Sequence, residues 1–454
     1  VNISVVGLGK LGSPMAACYA AKGFRVVGVD LNAAFVDKIQ RREPPVFEPG
    51  LADLLARCGD NLTATTDLAE AVRTTDVSFL IVPTPSEASG AFSMKHLIAA
   101  GHTIAQALRD KSKYHVVVVT STVMPGDTLG TFVPVLEAGS GKRCGVDFGV
   151  CYSPEFVSLG SVIRDTLHPD FLLIGESDER AGEVVAAITS SVVENQPRIM
   201  RMNFVNAELC KLALNNYVTM KISFANMLAG LCEKLPGGNV DAITTALGLD
   251  SRIGGKYLRG AVGFGGPCFP RDNHALISLA NSVGVAVPLP VATERINRLQ
   301  MHRLTSLVCE HLPPAGTVSI LGLAYKPDTN VIEQAQGVEL ADYLSRMGVE
   351  VCVFDPCAQE TTRAVLGDRI TYADSARICA QMADVLVVTT PAHAFRDVTP
   401  ADVTRTEFPV TLIDCWRMFD RADFAPVCTY IGVGTDDVRT HAKPLLLQGG
   451  RRAA

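Results

Sequence analysis

Over roughly the first 200 residues, short β-branched runs alternate with amphipathic stretches. Residues 3–6, 25–29, 78–82, 116–120 and 171–174 are apolar at most positions, which predicts strands buried on both faces. The stretches between them repeat their apolar positions at helical spacing. Strand and helix in alternation predict a parallel sheet wound on both faces.

Near Asn206 the texture changes. From there to about residue 233, apolar residues recur every three to four positions, and the first proline is Pro236. This predicts one long helix, followed by further helices to about residue 300. The alternation then returns, with strands expected at 317–321, 349–354, 384–388 and 410–413. The fold class read from this is α/β: two Rossmann-like, doubly wound parallel-sheet domains joined by a long central helix and a helical region. Divisions are expected at 1–200, 201–300 and 301–445, with the extreme tail, 448–454, frayed.

Composition narrows the function classes. The 454 residues are 48% hydrophobic and 19% charged, suited to two or three compact units rather than a disordered chain. A net charge of -6 argues against nucleic acid or an anionic membrane as the main partner. The apolar stretch at 206–233 carries Lys211, Asn215, Asn216 and Lys221, which is wrong for a membrane span. None of the 13 cysteines forms Cys-x-x-Cys, so neither zinc nor another metal is expected. Cys18 and Cys352 lie in apolar runs, as buried free thiols do, and such usage suits a reducing cytoplasm. The chain opens directly into a strand-like run, with no signal peptide visible.

The first run leads into Gly7-Leu8-Gly9-Lys10-Leu11-Gly12. In this spacing Gly7 permits a tight turn, Gly9 lets a pyrophosphate approach the backbone, and Gly12 lets helix and strand pack closely. The helix that follows offers unpaired N–H groups, beginning near Leu11, to phosphate oxygens. Asp30 ends the next run; a carboxylate there accepts ribose hydroxyls and repels a 2′-phosphate, which favours NAD over NADP. Thr84 and Thr122 follow the third and fourth runs, at the edge where open α/β sheets bind ligands. Read alone, each is an ordinary strand-end turn.

Residues 263–272 read Gly-Phe-Gly-Gly-Pro-Cys-Phe-Pro-Arg-Asp. A lone cysteine is usually inert core. Small and turn-forming residues around Cys268 argue instead for backbone wrapped closely about a ligand. Asp272 follows by four, on the same face if a helix begins there. Lys211 and Asn215 are also four apart and form a donor pair suited to a developing alkoxide, although alone they would pass for a solvated polar stripe.

Taken together, these residues resemble the UDP-glucose/GDP-mannose dehydrogenase family over almost the whole chain. Further matching stretches are Glu48-Pro49-Gly50-Leu51, Ser153-Pro154-Glu155-Phe156, Gly160-Ser161, Ala207-Glu208-Leu209-Cys210-Lys211, Lys221-Ile222-Ser223-Phe224, Arg252-Ile253-Gly254 and Gly322-Leu323-Ala324-Tyr325-Lys326-Pro327-Asp328-Thr329. The resemblance implies an N-terminal NAD domain, a central helical dimerisation region and a C-terminal nucleotide-binding domain. It implies a four-electron oxidation of a nucleotide sugar by two NAD in succession, in a homodimer or larger homo-oligomer. Cys268 would be the nucleophile, with Lys211 and Asn215 steadying the oxyanion. Asp272 and Thr122 would activate water, and Glu155 would be the acid/base. Arg252 would reach a partner subunit's substrate and Lys326 the nucleotide phosphates. Phe156, Tyr257, Phe264 and Gly265 would line the substrate pocket.

The match breaks at two places. Glu333 stands where the family has Arg, and Leu159 where many members have Glu. Pro267 before Cys268 and Phe269-Pro270-Arg271-Asp272 after it follow the members that act on UDP-glucose, the expected substrate. Two other readings compete. A two-electron 3-hydroxyacid dehydrogenase would leave Cys268 and the second α/β unit unexplained. A silent relative that binds a nucleotide sugar without turnover has only Glu333 in its favour.

Overall fold

The structure, a computed structural model, describes residues 1–405 and 409–438. The expected frayed tail and the last residues, 439–445, of the expected third domain lie outside the described residues. Two compact units emerge. The first comprises Val1–Val218, Gly265–Glu294 and Lys326–Glu333; the second takes Thr219–Phe264, Arg295–Tyr325 and the described residues from Gln334 onward.

The first unit is built on eight strands: β1 (Asn2–Val6), β2 (Arg25–Val29), β3 (Leu62–Thr65), β4 (Val77–Leu80), β5 (Val116–Val119), β6 (Gly149–Tyr152), β7 (Phe171–Glu176) and β8 (Arg198–Met202). Their order is β3-β2-β1-β4-β5-β6-β7-β8. All four valines of β5 are at most 1% exposed, so helices cover both faces, as an apolar run without alternation requires. The chain runs outward from β1 to β3, returns, and runs the other way from β4. The crevice between β1 and β4 is therefore the switch point where such sheets take ligands. The pairing is parallel except for β6 with β7, which is antiparallel over Cys151↔Glu176 and Tyr152↔Gly175.

The strand expected at 78–82 stops at Leu80. Its continuation bends under the glycine turn: a Cβ on Gly7 would lie 2.3 Å from the Ile81 carbonyl oxygen. The prolines at 83 and 85 could not have extended the ladder.

The long helix is Phe204–Cys232, 29 residues, or about 43 Å at the usual rise. Helices Val240–Leu249, Phe269–Ser282 and Pro288–His311 follow. Among the described residues no helix is long and apolar enough to cross a membrane.

The second unit carries β9 (Thr317–Leu321), β10 (Glu350–Phe354), β11 (Thr371–Tyr372), β12 (Val385–Val388), β13 (Thr411–Asp414) and β14 (Thr429–Gly432). All are parallel, in the order β11-β10-β9-β12-β13-β14. The strand–turn–helix closure of the first sheet recurs here. A Cβ on Gly12 would meet the Gly7 oxygen at 1.8 Å, and one on Gly337 would meet the Gly322 oxygen at 1.9 Å. Only glycine lets the helix pack that tightly on its own turn.

Candidate active site

The glycine turn after β1 presents backbone to the switch-point crevice. Gly7 has φ +98, and the space a Cβ would take at Gly9 holds nothing within 4 Å. The helix Gly12–Ala21 begins just beyond, with Leu11 at its N-cap and no side-chain cap. An open approach to unpaired N–H groups suits a pyrophosphate.

Asp30 and its counterpart in the second sheet, Asp355, differ in what they have left to give. Asp30 accepts one N–H on each oxygen, from Leu8 at 2.7 Å and Asn32 at 2.8 Å. Asp355 accepts four, from Leu323, Ala324, Cys357 and Ala358 at 2.8–3.1 Å, and is 4% exposed. A carboxylate offers about four lone-pair sites. Asp30 therefore keeps capacity for ribose hydroxyls, whereas Asp355 is saturated.

Thr84, after β4, donates its hydroxyl to the Thr122 carbonyl at 2.7 Å, and the Thr122 hydroxyl has no protein partner among the described residues. The Thr84 carbonyl in turn accepts from Arg271 at 3.1 Å, whose guanidinium lies 4.4 Å from the Phe92 ring centre. Arg271 thus ties the cysteine helix to the loop after β4. It received no role from the sequence, although it sits inside the most specific motif.

Cys268 is the N-cap of helix Phe269–Ser282, with Pro270 in the first turn. The Asp272 N–H donates to the Cys268 carbonyl at 2.8 Å, so the expected helix does place them one turn apart. Lys211 and Asn215 are buried, at 8% and 6% exposure, which excludes a solvated stripe. Lys211 Nζ donates to the Glu155 carbonyl at 2.7 Å and sits 4.8 Å from the Phe156 ring centre. Asn215 Nδ2 donates to Asp272 Oδ2 at 2.6 Å, and Asn216 Nδ2 to the Asp272 carbonyl at 3.1 Å. Cys268, Asp272, Lys211 and Asn215 thus form one cluster within the first unit, which the main-chain carbonyl of Glu155 joins through Lys211.

Burial sets the protonation of this cluster. It pushes the Glu155 carboxyl up to about 7, with Lys211 opposing. It also raises Asp272, against Lys211, Arg271 and Asn215. Cys268 keeps exposed surface, yet the protein around its thiol desolvates it. That desolvation and then the Asp272 charge hold the thiol above its ordinary value, with Lys211 and Arg271 pulling it down.

Two buried carboxylates that the sequence left without a role hold the surrounding loops. Glu48, 7% exposed, accepts from Gly160 N at 2.8 Å and Val162 N at 2.6 Å. Gly160, at φ +88, leaves no room for a Cβ, which would meet the Asp328 carbonyl at 2.2 Å. Lys326 belongs to the segment so approached; burial lowers its ammonium, while Asp165 and Glu48 raise it. Glu208, fully buried, accepts from Gly126 N at 2.6 Å and Thr128 N at 3.0 Å, fixing the loop after Thr122 to the long helix. An acid inside an apolar helical stretch was the available signal.

Arg252, Tyr257 and Phe264 belong to the second unit, whereas Gly265 opens a segment of the first. Arg252 is 86% exposed and paired with Asp250 at 2.6 Å. Tyr257 is half exposed, with φ +60, a conformation rare for a bulky residue. Phe264 is buried, and its backbone is gripped by the Asn297 amide, which accepts its N–H at 2.7 Å and donates to its carbonyl at 2.9 Å.

Three family models match the chain in order. They are the NAD binding domain (residues 1–193), central domain (205–299) and UDP binding domain (319–421) of the UDP-glucose/GDP-mannose dehydrogenase family. A UDP-glucose 6-dehydrogenase of Haloferax volcanii is 37% identical, over 87% of this chain and 92% of the relative. A GDP-mannose 6-dehydrogenase of Pseudomonas syringae is 35% identical, over 78% and 81%. The solved structure of a UDP-glucose dehydrogenase from Pyrobaculum islandicum is 32% identical, covers 96% of this chain and 98% of that one, and superposes with a TM-score of 0.86. The chain belongs to the UDP-glucose/GDP-mannose dehydrogenase family.

Proposed function

We propose that this NAD-dependent nucleotide-sugar dehydrogenase oxidises the 6-hydroxymethyl group of UDP-glucose to the carboxylate of UDP-glucuronate through a thioester on Cys268. The observation that carries this reading is the arrangement about Cys268: Asp272 one helical turn away, with Lys211 and Asn215 buried beside them. A two-electron alcohol dehydrogenase has no use for a nucleophile there; continuing to the acid requires one.

Bound NAD, held by Gly7, Gly9, Leu11, Gly12, Asp30, Thr84 and Thr122, supplies the hydride acceptor for each oxidation. Glu155, poised near 7, accepts the O6 proton in the first. The Cys268 thiol then gives its proton to water as its sulfur bonds to the aldehyde carbon, and the carbonyl π pair moves to O6. Lys211 has two N–H bonds beyond the one it gives Glu155, and Asn215 has a second amide hydrogen; these donors meet the oxyanion. After the second hydride leaves C6, a thioester remains. Asp272 Oδ1, buried and without a hydrogen-bond partner among the described residues, accepts a proton from water as its oxygen bonds to C6. The C6–S bond breaks, and its electron pair returns to sulfur and is protonated.

In this reading the chain divides in function near residues 200 and 300, with Lys326, Phe156, Tyr257, Phe264 and Gly265 meeting the substrate. A homodimer is supported by the long helix, which exposes Val205, Leu209, Tyr217, Phe224, Met227 and Leu231 at spacings that share one face. Arg252 would then serve the partner's site. Thirteen free cysteines suit the cytoplasm.

The nucleotide and sugar are the finer part of the proposal. The UDP-glucose relatives and the loop around Cys268 favour UDP-glucose; the GDP-mannose relative supports GDP-mannose as the second reading. The deciding experiment compares kcat/KM for UDP-glucose, dTDP-glucose, UDP-N-acetylglucosamine, UDP-N-acetylmannosamine and GDP-mannose while counting NADH per sugar. Two NADH per UDP-glucose, with no rival tenfold better, is the expected result. A rival ahead by tenfold overturns the substrate, and one or no NADH per sugar overturns the chemistry.

A further inference from the structure

Glu333 lies on a segment whose main chain is bonded to the Cys268 loop, and none of the steps above uses its side chain. Its main-chain carbonyl accepts the Gly266 N–H at 2.8 Å, two residues before Cys268. The segment Lys326–Glu333 packs with the first unit. Backbone geometry pins it, because Asp328 (φ +62) and Gln334 (φ +50) both adopt the left-handed conformation, which non-glycine residues rarely enter. The side chain is exposed and has no hydrogen bond or ion pair among the described residues. A carboxylate without a counter-ion among the described residues is thus tethered by its main chain to the loop that carries Cys268, and its charge adds, after desolvation and Asp272, to what raises the thiol.

Such a charge opposes thiolate formation, so activating Cys268 is not its use. The charge of the ligand suggests another. At C6 the substrate is a neutral alcohol and the product an anion, formed at the carbon that has just left the Cys268 sulfur. The buried Lys211 ammonium, which steadies the oxyanion, would also retain that carboxylate. We infer that Glu333 repels the newly formed carboxylate, so that the enzyme binds its uronate product more weakly than the alcohol it came from. This rests on the four-electron reading above. It makes Glu333 a residue that discriminates product from substrate by charge, through space and without contact.

The test uses the full enzyme and the uronate made from whichever sugar nucleotide yields two NADH. The readout is the ratio of the product's competitive inhibition constant to the KM of the alcohol, in wild type, Glu333→Gln and Glu333→Arg. Both substitutions alter an exposed side chain and leave its main-chain hydrogen bond in place. The ratio should fall about fivefold in the Gln variant and further in the Arg variant, as expected for one partly screened charge. Raising ionic strength should close the gap between wild type and Gln. An unchanged ratio overturns the inference. So does a parallel change in product and substrate affinity, the mark of a merely structural role. Failure of the underlying reading shows separately, as an NADH yield other than two, and takes this inference with it.

Discussion

Asn215 holds Asp272 from one side only: its amide binds Oδ2 at 2.6 Å, while Oδ1, equally buried, has no hydrogen-bond partner among the described residues. Arg271 Nε approaches Oδ1 at 3.6 Å, beyond hydrogen-bonding reach. A buried carboxylate oxygen left open is costly unless a ligand or water fills the place. The pair therefore fixes a carboxylate and reserves one of its oxygens for the reaction.

Asp272→Asn should stop the enzyme after the second hydride. The steady rate should fall about 10²- to 10⁴-fold, the usual contribution of a general base, while a burst of two NADH per site survives. Intact-mass measurement should find the acyl group on Cys268. Loss of the burst along with the steady rate would refute the assignment to thioester cleavage.

Cys268→Ser should fold and bind NAD but make no net acid, because a hydroxyl is the poorer nucleophile and its ester the poorer acyl donor. Product analysis checks this, and full turnover by the variant would exclude covalent catalysis at residue 268.

Glu155 predicts the pH profile. Its carboxyl is pushed up to about 7, so it is protonated below that pH and cannot take the O6 proton. The kcat/KM of wild type should rise through pH 7 and flatten above, and Glu155→Gln should lose that limb. Stability should run the other way. A carboxyl raised on folding favours the native state below its unfolded value, about 4.3, and loses that contribution as pH rises through 7. Wild type should therefore lose stability relative to Glu155→Gln between pH 5 and 8, by roughly 2–3 kcal/mol. Parallel melting curves across that range would contradict this.

Asp30→Ala should raise KM for NAD and relax the rejection of NADP, because two backbone N–H groups lose their acceptor and the 2′-phosphate loses a like charge. Both cofactors are compared by kcat/KM; a wild type that already prefers NADP would end the argument.

If Arg252 serves the partner's site, mixing inactive Arg252→Ala with inactive Cys268→Ala should restore part of the activity through mixed dimers. Native mass spectrometry verifies that mixed dimers form. Formed yet inactive, they would place Arg252 in its own subunit's chemistry or in none.

Interior strands were legible and edge strands were not. β2 and β9 fall where the apolar runs predict. β3, β8, β11 and β14, which close the two sheets at their edges, were all missed. An edge strand is covered less completely, so sequences such as Leu-Thr-Ala-Thr or Arg-Ile-Met-Arg-Met carry no continuous apolar run. The interior strand β6 was missed for a different reason: Gly-Val-Cys-Tyr begins with glycine and holds a single β-branched residue, so it shows no β-branched run.

The sequence by itself determined the two strand–turn–helix cores, the long helix and the pairings of Cys268 with Asp272 and of Lys211 with Asn215, because spacing along a helix or strand decides which side chains share a face. It carried the family in the same way, through motifs that are local. Tertiary structure alone decided that Asp30 keeps room for a ligand while Asp355 does not, that Lys211 and Asn215 are buried, and that residues 326–333 pack with the first unit. Those facts depend on which distant backbone N–H groups and side chains arrive at a given atom, and no local period records that.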